Sequence, residues 1–297
     1  MIGGPVIQTR SLTKSYGRLN AVRDLDLFVG ANRITAFLGR NGAGKSTTIK
    51  LLLGMIYPTG GEATVLGARV AESKESREMR RRVAYVAENK PLYPYMTPAQ
   101  MIRFVSSFYP DWRSDAAERL MKEYELPADR KVKSLSKGMR TKLALLLAFA
   151  RRPDLLILDE PSEGLDPVGI EQLLQTLVAQ SAEGISVFFS SHQITEVERI
   201  ADHVCILDKG RLLVDASLDD LRQSYRRIDL VFRSAPVEHE FRMTGVERIE
   251  TSGHQMRVLA SRNAEMVVER AHALNAVSVE TSPVGLRDIF LETVRDN

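Results

Sequence analysis

Nine consecutive residues constrain this chain more than any others: Gly39-Arg40-Asn41-Gly42-Ala43-Gly44-Lys45-Ser46-Thr47. They fit the pattern G-x-x-x-x-G-K-[ST]. An apolar run, Ile34-Thr35-Ala36-Phe37-Leu38, precedes them, and a helical stretch from Ser46 to Leu53 follows. A buried strand that turns through glycines into a helix is the setting of a P-loop. Gly39, Gly42 and Gly44 let the backbone curl so that successive N–H groups face one point, and the helix N-terminus adds positive potential there. Lys45 is placed to reach the β- and γ-phosphates of a nucleotide, and Ser46 offers a hydroxyl to Mg²⁺. Such a loop needs a sheet of parallel type behind it.

The next constraint is Leu155-Leu156-Ile157-Leu158-Asp159-Glu160-Pro161, a buried strand with two carboxylates at its carboxyl end. Ligands of open α/β sheets sit at the carboxyl ends of the strands. Gly39 follows one such strand, Asp159-Glu160 another, and His192 a third, after Val187-Phe188-Phe189-Ser190-Ser191. Three chemically apt groups are thereby expected on one rim. Asp159 suits Mg²⁺ through water, and Glu160 suits the polarisation of an attacking water.

The rest of the sequence agrees with a folded α/β protein. The 297 residues leave room for one large or two modest domains. Hydrophobic content of 44% with 27% charged residues excludes a disordered chain. The net charge of +3 gives little support for a nucleic-acid-binding surface, and no nucleic-acid partner is expected. One cysteine excludes an intrachain disulfide framework and Cys-rich metal sites. Cys205 reads as a small core residue. No apolar run approaches the ~18 residues of a membrane span. The start, MIGGPVIQTR, has no charged region followed by an apolar one, so no secretory signal is expected.

Strands and helices alternate to about residue 217. Thr97-Pro98-Ala99-Gln100 is a capping box with proline at the first helical position, and it opens a helical stretch reaching roughly Phe149. Val83–Val86 and Val204–Leu207 read as strands. Asp208-Lys209-Gly210-Arg211 reads as a tight turn between two edge strands. Near residue 218 the pattern changes. Arg227–Arg233, Val246–Glu250 and Gln255–Ala260 read as short alternating strands, and Asn263 as the cap of a helix to about Ala273. A strand at Ala276–Thr281 comes next, then a helix with Leu286, Ile289, Phe290 and Val294 on one face. The expected division is residues 1–217 and a small α+β domain, 218–297.

In combination these motifs resemble the nucleotide-binding subunit of ABC transporters, and more narrowly the bacterial type-2 exporter ATPases. The resemblance covers about residues 6 to 217. Its most telling segment is residues 134 to 166, SLSKGMRTKLALLLAFARRPDLLILDEPSEGLD, where LSKGM resembles the LSGGQ signature. The resemblance implies a P-loop NTPase fold: a RecA-like core, an antiparallel β subdomain and a helical subdomain at about 97–150. It implies an ATPase with ATP and Mg²⁺ as cofactors. Tyr16 matches the aromatic residue that stacks on adenine, His192 the switch histidine, and Glu163-Gly164-Leu165-Asp166 the D-loop. Ser136 and Gly138 are implied to complete the site of a second ATPase chain, identical or not, in a head-to-tail dimer. The implied remaining partner is a separate integral membrane permease subunit, with this chain peripheral at the cytoplasmic face of the membrane. Two motifs depart from the pattern. Lys137 and Met139 replace glycine and glutamine in the signature, and Glu88 stands where the family usually has the glutamine that contacts Mg²⁺.

Overall fold

The computed structural model describes residues 4–70 and 73–295. The chain divides into two compact units, Met1–Asp215 and Ala216–Asn297. In chain order the first contains β1 (Ile7–Tyr16), β2 (Leu19–Leu25), β3 (Phe28–Val29), β4 (Ile34–Gly39), α1 (Lys45–Leu52), β5 (Gly60–Val65), β6 (Ala68–Arg69), α2 (Ser73–Arg82) and β7 (Val83–Val86). It continues with α3 (Pro98–Ser106), α4 (Ser114–Glu123), α5 (Lys137–Phe149), β8 (Leu155–Asp159), α6 (Pro167–Ala182), β9 (Ser186–Ser191), α7 (Ile194–Ile200), β10 (His203–Asp208) and most of β11 (Arg211–Ser217), whose last two residues fall in the second unit.

Its centre is a six-stranded sheet of order β11-β10-β4-β9-β8-β7, in which β10, β4, β9, β8 and β7 run parallel. Every residue of β4, β8 and β9 is buried, as continuous apolar runs in the middle of a parallel sheet must be. Phe37 and Phe188 pack ring against ring between neighbouring strands, 5.3 Å between centroids. The register sets the site. Leu38 of β4 lies beside Ser191 of β9, and Asp159 of β8 beside Ser190. The loops after β4, β8 and β9 therefore leave the sheet on one rim.

A second, antiparallel sheet has the order β2-β1-β5-β6, with β3 also on β1. The helical stretch after Thr97 is α3, α4 and α5, interrupted near Pro110 and Pro127, where proline cannot donate to a helix ladder. The Thr97 box forms in both directions, Thr97 Oγ1 accepting from Gln100 N and Gln100 Oε1 from Thr97 N.

The second unit holds α8 (Leu218–Ser224), β12 (Arg226–Val231), β13 (Val246–Ser252), β14 (Gln255–Ala260), α9 (Ala264–Ala273), β15 (Ser278–Pro283) and α10 (Leu286–Arg295). Its antiparallel sheet has the order β13-β14-β12-β15. Ile228, Leu230, Met256 and Val258 of the sheet form one core with Phe241 and with Val267 and Ala271 of α9. On α10, Leu286 and Ile289 are buried, while Phe290 and Val294 are only half-buried.

Two local expectations are corrected. Of the two strands joined by the 208–211 turn, only β11 is an edge strand; β10 lies inside the sheet, and all four of Val204–Leu207 are fully buried. Asn263 precedes α9 but does not cap it with its side chain. Its backbone is left-handed (φ 56) and its amide donates to Thr244 O.

Candidate nucleotide-binding and catalytic site

The rim of the parallel sheet opens into a cleft of about 790 Å³ in the first unit, within the range that holds a nucleotide-sized ligand. Tyr16, Arg40, Asn41, Gly42, Gly44, Lys45, Ser46, Thr47, Glu88, Glu160 and His192 line it, together with Leu19, Asn20, Ala21, Arg23, Glu163 and Lys209. Gly39, Ala43 and Asp159 are buried and do not line it. A depression of similar size on the second unit is bordered by Glu238, Arg242, Glu247, Arg248 and Asn263, and none of its described lining residues is a buried charge.

The loop between β4 and α1 is shaped by backbone geometry that only glycine supplies. Gly44 has φ 109, and a Cβ there would meet the Ala21 carbonyl oxygen at 2.4 Å; one on Gly39 would meet that of Leu207 at 2.6 Å. No side chain caps α1 at Gly44, so its first N–H groups are left to bind an anion. Lys45 is 6% exposed. Its Nζ donates to Gly39 O at 2.7 Å and lies 3.2 Å from Glu160 Oε1.

The carboxylates after β8 occupy different environments. Asp159 Oδ1 accepts from Ser190 Oγ at 2.6 Å, and the same Oγ accepts from Glu160 N at 3.0 Å. This relay locks the strand end to β9. Glu160 has φ 47, a left-handed conformation that a non-glycine residue keeps only when its surroundings impose it. Its Oε2 is 2.8 Å from His192 Nδ1. Its Oε1 is within ion-pair reach of Lys45 but has no aligned hydrogen bond, although it is buried. A buried carboxylate oxygen with spare acceptor capacity, at the floor of an anion-binding cleft, is equipped to take a proton from water.

The oxygen donors Ser46, Asp159 and Glu88 suit a hard cation such as Mg²⁺. Their field reaches Tyr85, whose hydroxyl is pushed up to about 12 by burial and by the Asp159 and Glu88 carboxylates. Tyr16, 51% exposed, stands at the cleft mouth with Lys14 Nζ 5.0 Å from its ring centre.

Ser136, Gly138 and Asp166 do not line this cleft. Ser136 is exposed and caps α5, its Oγ accepting from Met139 N at 3.1 Å. Asp166 caps α6, its Oδ1 accepting from Gly169 N at 2.7 Å. The start of α5 is clasped to the segment 163–166. Lys137 pairs with Glu163, Thr141 Oγ1 donates to Glu163 O, and Gly138 packs so closely that a Cβ would sit 2.8 Å from Gly164 O. The Lys137 hydrogen bond holds the Glu163 carboxyl below its usual range. Sequence reasoning treats Lys137 as a departure and passes over Glu163 as a cleft residue; opposite charges in two adjoining motifs are the available signal. It also misses Lys90, buried behind Glu160, for which a polar loop gives no signal.

Comparison with known proteins agrees with this geometry. The sequence model of the ABC transporter family matches residues 22–163. The bacitracin transport ATP-binding protein BcrA of Bacillus licheniformis is 35% identical over 225 residues, 75% of this chain and 73% of that protein. The chain belongs to the ABC transporter family. The Nod factor export ATP-binding protein I of Cupriavidus pinatubonensis is 31% identical over 296 residues, 97% of this chain and 90% of that one. A solved ATP-binding subunit of an ABC transporter superposes with a TM-score of 0.67 at 33% identity, covering 73% of this chain and 92% of its own. The P-loop α/β fold is that of ABC ATPases. As an ABC transporter ATPase the chain binds and hydrolyses ATP. Among the described residues no helix is long and apolar enough to cross a membrane.

Proposed function

We propose that this chain is the ATP-hydrolysing subunit of an exporter whose channel belongs to a separate integral membrane subunit. The observation that carries the chemical part is Glu160, held between Lys45 and His192 with one oxygen free to accept. The amides of the loop and of α1 bind the phosphates. Lys45, with three donors, serves the β- and γ-phosphates, and Tyr16 stacks on the base. Ser46, Asp159 and Glu88 would hold Mg²⁺, which when bound supplies neutralisation of charge on the phosphates. Glu160 Oε1 takes the proton of the attacking water, and His192 keeps the carboxylate turned toward the cleft.

Ser136 and Gly138 lie outside their own chain's cleft, which supports their serving the cleft of a second ATPase chain. In this reading ATP joins two chains head to tail, Asp166 belongs to their shared surface, and hydrolysis parts them. The export reading is supported by the names of the relatives, one a bacitracin transport protein and one a Nod factor export protein. The permease has a fitting surface in the exposed ring ladder Tyr95–Tyr93–Phe104–Phe108, each ring 5.1 to 5.7 Å from the next, since exposed apolar clusters mark interaction sites. The chain then works at the cytoplasmic membrane face. We assign residues 1–217 to the ATPase and 218–297 to an accessory role, holding two ATPase chains near each other when ATP is absent.

Purification of the tagged chain from detergent-solubilised membranes tests the reading. An integral membrane protein is expected to accompany it in stoichiometric amount. Recovery of the chain alone, from membranes in which it is active, would count against the exporter.

A further inference from the structure

Among the described residues two lysines are buried, Lys45 and Lys90. The first belongs to the phosphate site; the second has no part in the proposed hydrolysis chemistry. Lys90 is 8% exposed, follows β7, and directs its ammonium at a neutral group, donating to the backbone carbonyl of Glu160 at 3.0 Å. Burying an ammonium is costly unless charge and hydrogen bonding compensate. Burial does push Lys90 down, while the nearby carboxylates of Glu163, Glu88 and Asp159 favour its charged form against Lys137.

We infer that Lys90 is a positioning residue for hydrolysis, which fixes the left-handed Glu160 peptide and thereby aims the Glu160 carboxylate into the cleft. The geometry is over-determined in the manner that a strained residue requires. Glu160 N is held by Ser190 Oγ from β9, and Glu160 O is held by Lys90 Nζ from the β7 side and by Glu163 N at 3.2 Å from its own turn. β7 and β9 flank β8, so the turn that presents Glu160 is pinned from both neighbouring strands. Without the Lys90 bond the β7 pin is lost, and the peptide is free to relax toward an ordinary right-handed φ. That rotation would swing the carboxylate away from Lys45 and His192.

The inference rests on the reading of Glu160 as the base. The test uses the full chain, with Lys90→Met, which keeps the length and loses the donor, and Lys90→Gln, which keeps a donor without the charge. ATP turnover and equilibrium ATP binding are measured together. A misplacement near 1 Å at a reacting group costs on the order of 10²-fold, so Lys90→Met should lose about 10- to 100-fold in kcat. The Kd for ATP should stay within about two-fold, because the loss falls on the transition state. Lys90→Gln should recover part of the rate, and it carries the test alone if Lys90→Met fails to fold. On a Glu160→Gln background, Lys90→Met should cost nothing further, since it acts only through that carboxylate. Parental kcat in both variants, ATP affinity falling in step with kcat, or a further loss on the Glu160→Gln background would each overturn the inference. Parental turnover by Glu160→Gln alone would remove the reading beneath it, a result distinct from any of these.

Discussion

The two units of this chain bury charge in opposite ways. In the first, Lys45, Lys90, Asp159, Glu160, Glu196 and Asp208 are all buried, and at least five of these six lie at or behind the carboxyl rim of the central sheet. In the second, Glu292 is the only buried charged side chain among the described residues, with Arg248 at 3.5 Å. Its core is otherwise apolar, built from Ile228, Leu230, Phe241, Met256, Val258 and Val267. Buried charges are expensive, so a cluster of them at one place in a fold is a mark of chemistry, whereas an apolar core is a mark of packing. The contrast supports the proposal that the reaction belongs to the first unit.

The largest effect that tests this contrast is in the second unit's core. Phe241 is fully buried and packs edge-on against Phe232. Phe241→Ala should cost about 3–5 kcal/mol of local stability. Hydrogen exchange across residues 226–283 should speed up while ATP turnover persists. Loss of ATP binding in a soluble Phe241→Ala protein would break the contrast.

Lys45→Ala reverses the test. Removing one member of a buried, hydrogen-bonded charge pair costs about 2–5 kcal/mol, roughly 30- to 4,000-fold in Kd for ATP. Titration with a fluorescent nucleotide should show that loss, and exchange in the second unit should be unchanged. Undiminished binding would remove the P-loop from the account.

The smallest effect sharpens the boundary between buried and exposed charge. Glu163 and Lys137 are more than a third exposed, so their pair is worth under about 1 kcal/mol. The Glu163 carboxyl is held below its ordinary 4.5, first by the Lys137 hydrogen bond. Its contribution is therefore present above that value and lost as pH falls through the lowered one. Denaturant titrations of Glu163→Gln should show a small deficit at neutral pH that shrinks on acidification below 4.5. A deficit that stays constant would place its origin elsewhere.

Much of this is readable in the residues, and the exceptions have physical reasons. The P-loop is legible because its chemistry needs fixed residue types at fixed spacing; β4, β8 and β9 are legible because full burial demands unbroken apolar runs. Strand order is not. An apolar run such as Val204–Leu207 does not say which neighbours flank it, so a strand buried on both faces reads as an edge. Asn263 carries a capping residue type, but its left-handed backbone turns the amide toward Thr244. Lys90 is invisible because its partner lies 70 residues away, and only the pairing of β7 with β8 brings them together. Lys137 and Glu163 each look unremarkable or out of pattern when taken singly; folded, they face each other.

The central claim is that Glu160, presented in a strained turn between Lys45 and His192, is the base for ATP hydrolysis. ATP binding and turnover measured on one preparation of Glu160→Gln test it most directly. Loss of a general base costs about 10²- to 10⁴-fold in rate, so turnover should fall by that much while ATP still binds. Turnover at the parental rate would contradict the account.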